Sequence, residues 1–277
     1  TTTLLMAAAE LQTDNALFCA FSKDVQMEIE KRVTAQGSRM TTKTMHSIGM
    51  AAVRNYLKGF RRNIKVDEEK YDILIKPVAV KIHESLMSKY RADLRRKLNP
   101  DEPVSIGTLL GWIRTLVGLV RCTLTDYKSE SVLYDLADHY GVEIDLDLSK
   151  VIHQAIGNII DEGCRIAGET GLIDFTDMIY LPARWDLSVE QYDFVFVDEC
   201  QDLSKAQLSI ALKSRAEGGR MLFVGDRRQS IFGFTGADPE SFNSIIELTG
   251  AKELPLSICY RCPVSVIQMA QKIVPEI

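Results

Sequence analysis

Asp198 and Glu199 stand side by side where an apolar run, FVFV, stops, and Gln201 and Asp202 follow at once. A second apolar run, MLFV from Met221, ends the same way in GDRRQ, with Gln229 as its last residue. An apolar β-type run that stops abruptly at acidic and amide groups is how a buried parallel strand delivers polar side chains to the carboxyl edge of an α/β sheet. Two such strand ends, close in sequence, point to one shared site. Adjacent residues at a strand end face different directions, so Asp198 could hold Mg²⁺ through water while Glu199 orients an attacking water. Gln201 and Asp202 add an amide and a third carboxylate, and Gln229 supplies a neutral group able to sense a terminal phosphate. Nucleotide hydrolysis is the chemistry this set suits. VDE on its own fits equally a strand followed by a solvated acidic loop.

Those strand ends need a sheet, and the flanking segments supply it. Residues 1 to about 55 predict a helix, a strand over Ala16 to Phe21, a helix over Asp24 to Thr34 and a TKTMHS segment leading into another helix. From about 59 to about 165 the pattern changes to long helical periodicity, as in VAVKIHESLMSKY and IGTLLGWIRTLVGLVRC, broken by NPDEP at Asn99 to Pro103. This middle stretch predicts an all-helical insertion. From about 166 onward, DFTDMIYLP and the two strand-end segments restore the α/β pattern.

At 277 residues and 46% hydrophobic, the chain can bury a full core and hold two structural units. No uninterrupted apolar run has the length needed to cross a bilayer, and the opening TTTLLMAAAEL lacks a basic front and a cleavage context. Six irregularly spaced cysteines point to reduced thiols and a cytoplasmic location. Cys259 and Cys262 form a CxxC without the second pair that zinc requires. The net charge of −5 does not decide for or against a nucleic-acid partner, because a positive groove is invisible in the global balance. Two basic runs, Lys58 to Lys65 and Lys89 to Lys97, carry Phe60 and Tyr90. Solvated helix faces are the favoured reading of both, and phosphate contact is the other.

Five segments, taken in order, resemble the motifs of the superfamily 1 DNA helicases of the UvrD/Rep type. AFSKDVQMEIEKRV, Ala20 to Val33, is similar to motif Ia, and TKTMHSIGMAAVR, Thr42 to Arg54, to motif Ib with its TxHSxG core. VDECQD is similar to the Walker B motif DExQD, VGDRRQSIFGFTGAD to motif III, and LPLSICYRCPVSVIQMA, Leu254 to Ala270, to motif IV. The resemblance implies a RecA-like P-loop NTPase fold, with residues 1–58 and 166–277 as domain 1A and residues 59–165 as the helical insertion 1B. It also implies ATP and Mg²⁺ as cofactors, single-stranded DNA and single–double-strand junctions as partners, 3′-to-5′ movement, and work in a repair, replication or phage process.

The resemblance carries roles over residue by residue. Asp198 binds Mg²⁺ through water, Glu199 is the base toward the attacking water, and Gln229 contacts the γ-phosphate. Tyr260 stacks on the adenine and Arg261 reaches the γ-phosphate. Phe21, Ser22 and Lys23 of motif Ia, Thr44, His46 and Ser47 of motif Ib, and Phe232 and Phe234 of motif III face the DNA strand. Motif III departs from the family in having Phe232 where Tyr is usual and Thr235 where Arg is common, which weakens the expected backbone grip and leaves the stacking surface.

The family's phosphate loop, GxxxxGK followed by Ser or Thr, belongs just before motif Ia, yet the chain opens with TTTLLMAAAEL. The resemblance therefore sets Thr1 and Thr2 against the phosphates, with the Thr1 hydroxyl as a Mg²⁺ ligand. The expected function is that of the first motor domain of an ATP-driven DNA helicase, with a non-catalytic nucleic-acid or partner-binding remnant as the alternative. Without the loop's N–H cradle and lysine, the β- and γ-phosphates lose their main positive partners. In an ATPase assay with single-stranded DNA, the 277-residue chain is expected to turn over far more slowly than a version with the loop restored. Comparable rates would refute that expectation.

Overall fold

The computed structural model describes residues 2–11, 13, 15–35, 37–96, 101–229, 241–256 and 262–273. Helix α1 (Thr2–Ala9) leads into β1 (Ala16–Ala20), whose ALFCA side chains are all buried, and then into α2 (Lys23–Ala35). Strand β2 (Thr41–Thr44) runs directly into α3 (Met45–Gly59), because the Thr44 side chain accepts from the Ser47 N–H and caps the first turn. A two-residue strand, β3 (Lys65–Val66), precedes four helices: α4 (Lys70–Arg95), α5 (Ile106–Thr123), α6 (Glu130–His139) and α7 (Leu146–Thr170). Ser105 and Asp145 cap α5 and α7. Strand β4 (Leu172–Ile173) pairs in parallel with β3, and α8 (Asp177–Arg184) follows. Strand β5 (Tyr192–Val197), helix α9 (Lys205–Lys213), strand β6 (Arg215–Phe223), helix α10 (Ser241–Thr249) and helix α11 (Val264–Gln271) complete the order. The chain forms two compact units, one up to Phe242 and one from Asn243 to Ile277.

The main sheet is parallel throughout, in the order β2-β1-β5-β6. The α/β architecture with a parallel sheet agrees with the fold class expected from the sequence. Leu4, Leu5 and Ala8 of α1 and Ile29 and Val33 of α2 pack with Phe18 and Phe196 from the sheet. A larger apolar cluster joins Val53 and Leu57 of α3 to Ile75, Ile113, Leu116 and Ile156 of the four helices and to Leu181 of α8. Its size follows from the 3.6-residue periodicity of α5 and α7, each of which buries one continuous stripe.

Three features differ from the sequence expectation. β6 reads as a buried strand but is half-exposed along its length, because it lies at the edge of the described sheet with one neighbouring strand. The β3–β4 pair has no periodic signal, since two residues cannot establish one. Helix α5 is long and apolar enough, by length and composition, to cross a membrane. Its apolar side chains instead fill the helical core, where Leu109, Ile113, Leu116 and Val120 are fully buried.

Inside that core sits a charged cluster. Arg121 of α5 donates 2.9 Å to Asp174 and 3.0 Å to Asp177, and Lys70 of α4 donates 2.5 Å to Asp177. The Arg121 guanidinium also lies 3.8 Å from the centre of the Tyr71 ring. Burial pushes the Asp177 carboxyl up, and Arg121 and Lys70 oppose that shift. Removing one partner of a buried pair strands the other charge, at a cost of about 3–5 kcal/mol. Arg121→Met is therefore expected to lower the urea-unfolding free energy by about that amount. A loss below about 1 kcal/mol would mean the cluster contributes no net pairing.

Candidate nucleotide and nucleic-acid site

The register of the sheet gathers the strand ends. Ala20 stands opposite Thr44, Cys19 opposite Val197, and Val197 opposite Phe223. The segments leaving β1, β2, β5 and β6 therefore emerge along one edge, the carboxyl edge, where parallel sheets bind ligands.

Asp198, directly after β5, is 3% exposed. Glu199 adopts φ 51° and ψ 45°, a left-handed backbone that costs a non-glycine residue roughly 1–2 kcal/mol. The reversal separates the two neighbours: Asp198 stays buried and Glu199 is exposed. Gln201, itself buried, is the hub of the loop. Its Nε2 donates 2.9 Å to Glu199 Oε2 and 3.2 Å to Asp202 Oδ2, and its Oε1 accepts from the Asp226 N–H at 3.1 Å. Gln229 Nε2 donates 2.9 Å to Asp226 Oδ2. One hydrogen-bonded chain thus runs from Glu199 through Gln201 and Asp226 to Gln229.

Backbone contacts pin this arrangement. Val224 N–H donates to Val197 O at 2.9 Å, and Cys200 N–H donates to Val224 O at 3.0 Å. The two loops approach so closely at Gly225 that an added Cβ would lie 2.3 Å from Gln201 Oε1 and 2.9 Å from Cys200 Sγ, so a side chain there would push the Gln201 amide out of its place. Burial pushes the Cys200 and Cys19 thiols up to about 12, so both stay protonated and serve packing.

No three His, Cys, Asp or Glu side chains among the described residues gather into a metal cage. Magnesium in nucleotide enzymes is held by one or two carboxylates with waters and substrate phosphates. The buried Asp198 at its strand end suits that mode. Thr2 lies at the exposed start of α1. Thr1, Phe232, Phe234, Tyr260 and Arg261 lie outside the described residues, as does Cys259 of the CxxC pair.

The same edge carries the motif Ia and Ib residues. Phe21 is exposed, the Ser22 hydroxyl accepts from the Val25 N–H at 3.3 Å, and Lys23 begins α2. Thr44 caps α3, and the Ser47 hydroxyl donates 2.8 Å to Thr44 O. Two of the predicted contact hydroxyls are thus engaged in opening helices whose first N–H groups face the edge, a geometry that favours phosphate. His46 stacks on Phe175, with ring centres 4.0 Å apart and planes at 23°. Phe175 is 49% exposed and was absent from the sequence-based set. Asp226 was missed too, although its GD context predicts an Asx turn, which it makes to the Arg228 N–H at 3.0 Å.

Phe175 reaches His46 through close helix packing. A Cβ on Gly49 would fall 1.9 Å from the Met178 carbonyl oxygen, so the glycine of TMHSIG lets α3 lie against α8. Asp174 and Asp177, on either side of Phe175, are locked in the buried charged cluster.

A family model, UvrD/REP helicase N-terminal domain, matches residues 2–249. The chain belongs to the UvrD/REP helicase N-terminal domain family. This UvrD/REP domain is 27% identical over 112 residues to a DNA helicase II of Haemophilus influenzae, covering 38% of this chain and 15% of that relative. It is 25% identical over 160 residues to a DNA helicase II of Salmonella typhimurium, covering 54% of this chain and 21% of the relative. To an ATP-dependent DNA helicase PcrA of Staphylococcus epidermidis it is 28% identical over 111 residues, covering 37% of this chain and 15% of the relative. The chain thus spans between 15% and 21% of these curated relatives' lengths.

Burial lowers the His46 pKa from 6.5 to about 4, so the stacked ring is neutral near pH 7. A folded-state value below the unfolded one gives stability that is full above 6.5 and drains as pH falls toward 4. His46→Gln is expected to remove up to about 3 kcal/mol of that acid sensitivity, read as a smaller drop in unfolding free energy between about pH 7 and about pH 4. Identical drops in both proteins would refute the shift.

Proposed function

We propose that this UvrD/REP domain is the first motor domain of an ATP-dependent DNA helicase. It takes ATP with Mg²⁺ at the carboxyl edge of the sheet and grips single-stranded DNA beside it. Hydrolysis then drives movement along the strand and unwinding at single–double-strand junctions, in the cytoplasm. Residues 1–58 and 166–277 serve as the RecA-like domain 1A, and residues 59–165 as the helical insertion 1B.

Asp198, with Thr1, would hold Mg²⁺, which neutralises charge on the phosphates when bound. Glu199 takes the proton of the attacking water. Gln201 holds the Glu199 carboxylate in place, and Gln229 touches the γ-phosphate. Tyr260 stacks on the adenine, Arg261 reaches the γ-phosphate, and Thr2 borders the phosphates. Phe21, Ser22, Lys23, Thr44, His46, Ser47, Phe232 and Phe234 line the DNA side. Phe175 joins them as an exposed ring on the His46 stack, where a base can be held by about 1–3 kcal/mol regardless of sequence.

The observation that carries this reading is the hydrogen-bonded chain from Glu199 to Gln229. It connects a water-orienting carboxylate with a phosphate-sensing amide, on the edge that also carries the motif Ia and Ib residues. Glu199→Gln in the full-length protein is expected to cut ATP turnover by at least about a hundredfold while nucleotide affinity stays within about threefold. Retained turnover would overturn the assignment.

A further inference from the structure

The far end of α3, opposite the His46 stack, carries aromatic rings and cations that the ATP and DNA roles leave unused. Tyr56 meets Phe60 edge-on at 5.2 Å and Trp185 of the α8 C-cap at 5.1 Å. Phe60 is 56% exposed, and the Arg62 guanidinium lies 5.8 Å from its ring centre. Lys58, Arg61 and Lys65 crowd the same turn and are exposed. The turn is held firmly: Arg62 N–H donates to Leu57 O, and Lys65 N–H donates to Gly171 O at 3.0 Å.

Some surface cations are neutralised by a neighbouring carboxylate and others, including those of this segment, are not. Arg32, Lys43, Arg114, Arg165 and Lys213 each pair with a carboxylate. Arg54, Lys58, Arg61, Arg62 and Lys65 make no ion pair with a described residue. Between the two ends of α3, Ser47, Ala51, Arg54 and Lys58 are all exposed and fall on one stripe at helical spacing. Small residues begin that stripe and basic residues end it. From His46 to Phe60 the helix covers about 20 Å.

We propose that the exposed face of α3 is a second track for single-stranded nucleic acid. It runs from the His46–Phe175 stack along Arg54 and Lys58 to the turn of Phe60, Arg61, Arg62 and Lys65. This rests on the DNA reading above and extends it. Phosphates lie along Arg54 and Lys58, whose charges are not spent on carboxylates, and Phe60 offers a ring to a base at the far end. The segment read from sequence as a solvated face is thereby a binding surface.

The test compares a short single-stranded oligonucleotide of about 4 nucleotides, too short at about 3.4 Å per nucleotide to cover the edge and the α3 face together, with one of about 20, in fluorescence anisotropy titrations over a range of salt. Wild-type chain is set beside Arg54→Glu/Lys58→Glu, Phe60→Ala and Phe175→Ala, with urea midpoints checking that each variant is folded. The charge-reversal pair is expected to weaken the long oligonucleotide at least about tenfold, lower its salt slope by about 2 and leave the short one within about twofold. Phe60→Ala is expected to weaken only the long one, and Phe175→Ala both. If the α3 variants bind both oligonucleotides like wild type while Phe175→Ala weakens them, the track is overturned and the edge reading stands. Should neither oligonucleotide bind the wild type, the edge reading falls and takes the track with it. If the α3 variants instead lose an acidic, aromatic-containing peptide with oligonucleotide affinity unchanged, the surface belongs to a protein partner and the proposal is overturned.

Discussion

Four parallel strands that stop in register impose the constraint on which the candidate site depends. Parallel pairing fixes Ala20 beside Thr44 and Val197 beside Phe223, so every segment leaving the sheet starts from one edge. Polar groups there escape the apolar interior and still sit on a rigid base. A slip of one residue in β5 would turn Val195 and Val197 to the opposite face and carry Asp198 with them. Gly225 enforces the setting between β5 and β6, because only a residue without a side chain lets the Gln201 amide close against the neighbouring loop.

The buried charged cluster extends this rigidity into the helical region. Arg121 and Lys70 belong to α5 and α4, whereas Asp174 and Asp177 flank Phe175 at the start of α8. A cluster so thoroughly desolvated contributes little net stability relative to an apolar core, but it is specific in geometry: each carboxylate has one productive position. The cost of burying charge is thus exchanged for a fixed loop, and that loop places an exposed ring on His46. Gly49 completes the exchange by letting α3 approach α8 to backbone contact. The helical region and the edge of the sheet are coupled through these contacts.

The strand-end carboxylates, the parallel sheet and the long helices were legible in the residues. FVFVDECQD marks where β5 ends, and the structure ends it at Val197. The Asn99 to Pro103 break separates α4, which ends at Arg95, from α5, which begins at Ile106. Asp226 and Phe175 were harder to see, since each acts through a partner distant in sequence or through a turn. The exposure of β6 was also hidden, because strand periodicity cannot say whether a strand lies at an edge.

The sequence by itself determined which side chains are available for chemistry and, through apolar runs and caps, where longer elements such as β1, α2 and the end of β5 lie. These are local properties, governed by burial patterning and by hydrogen bonds within a few residues. Only the tertiary structure decided that Gln201 would bridge Glu199 to Asp226, that Phe175 would cover His46, and that the cations of residues 58–65 would make no ion pair with a described carboxylate. Those outcomes depend on register and helix packing between segments far apart in the chain, and no local pattern encodes the distance between them.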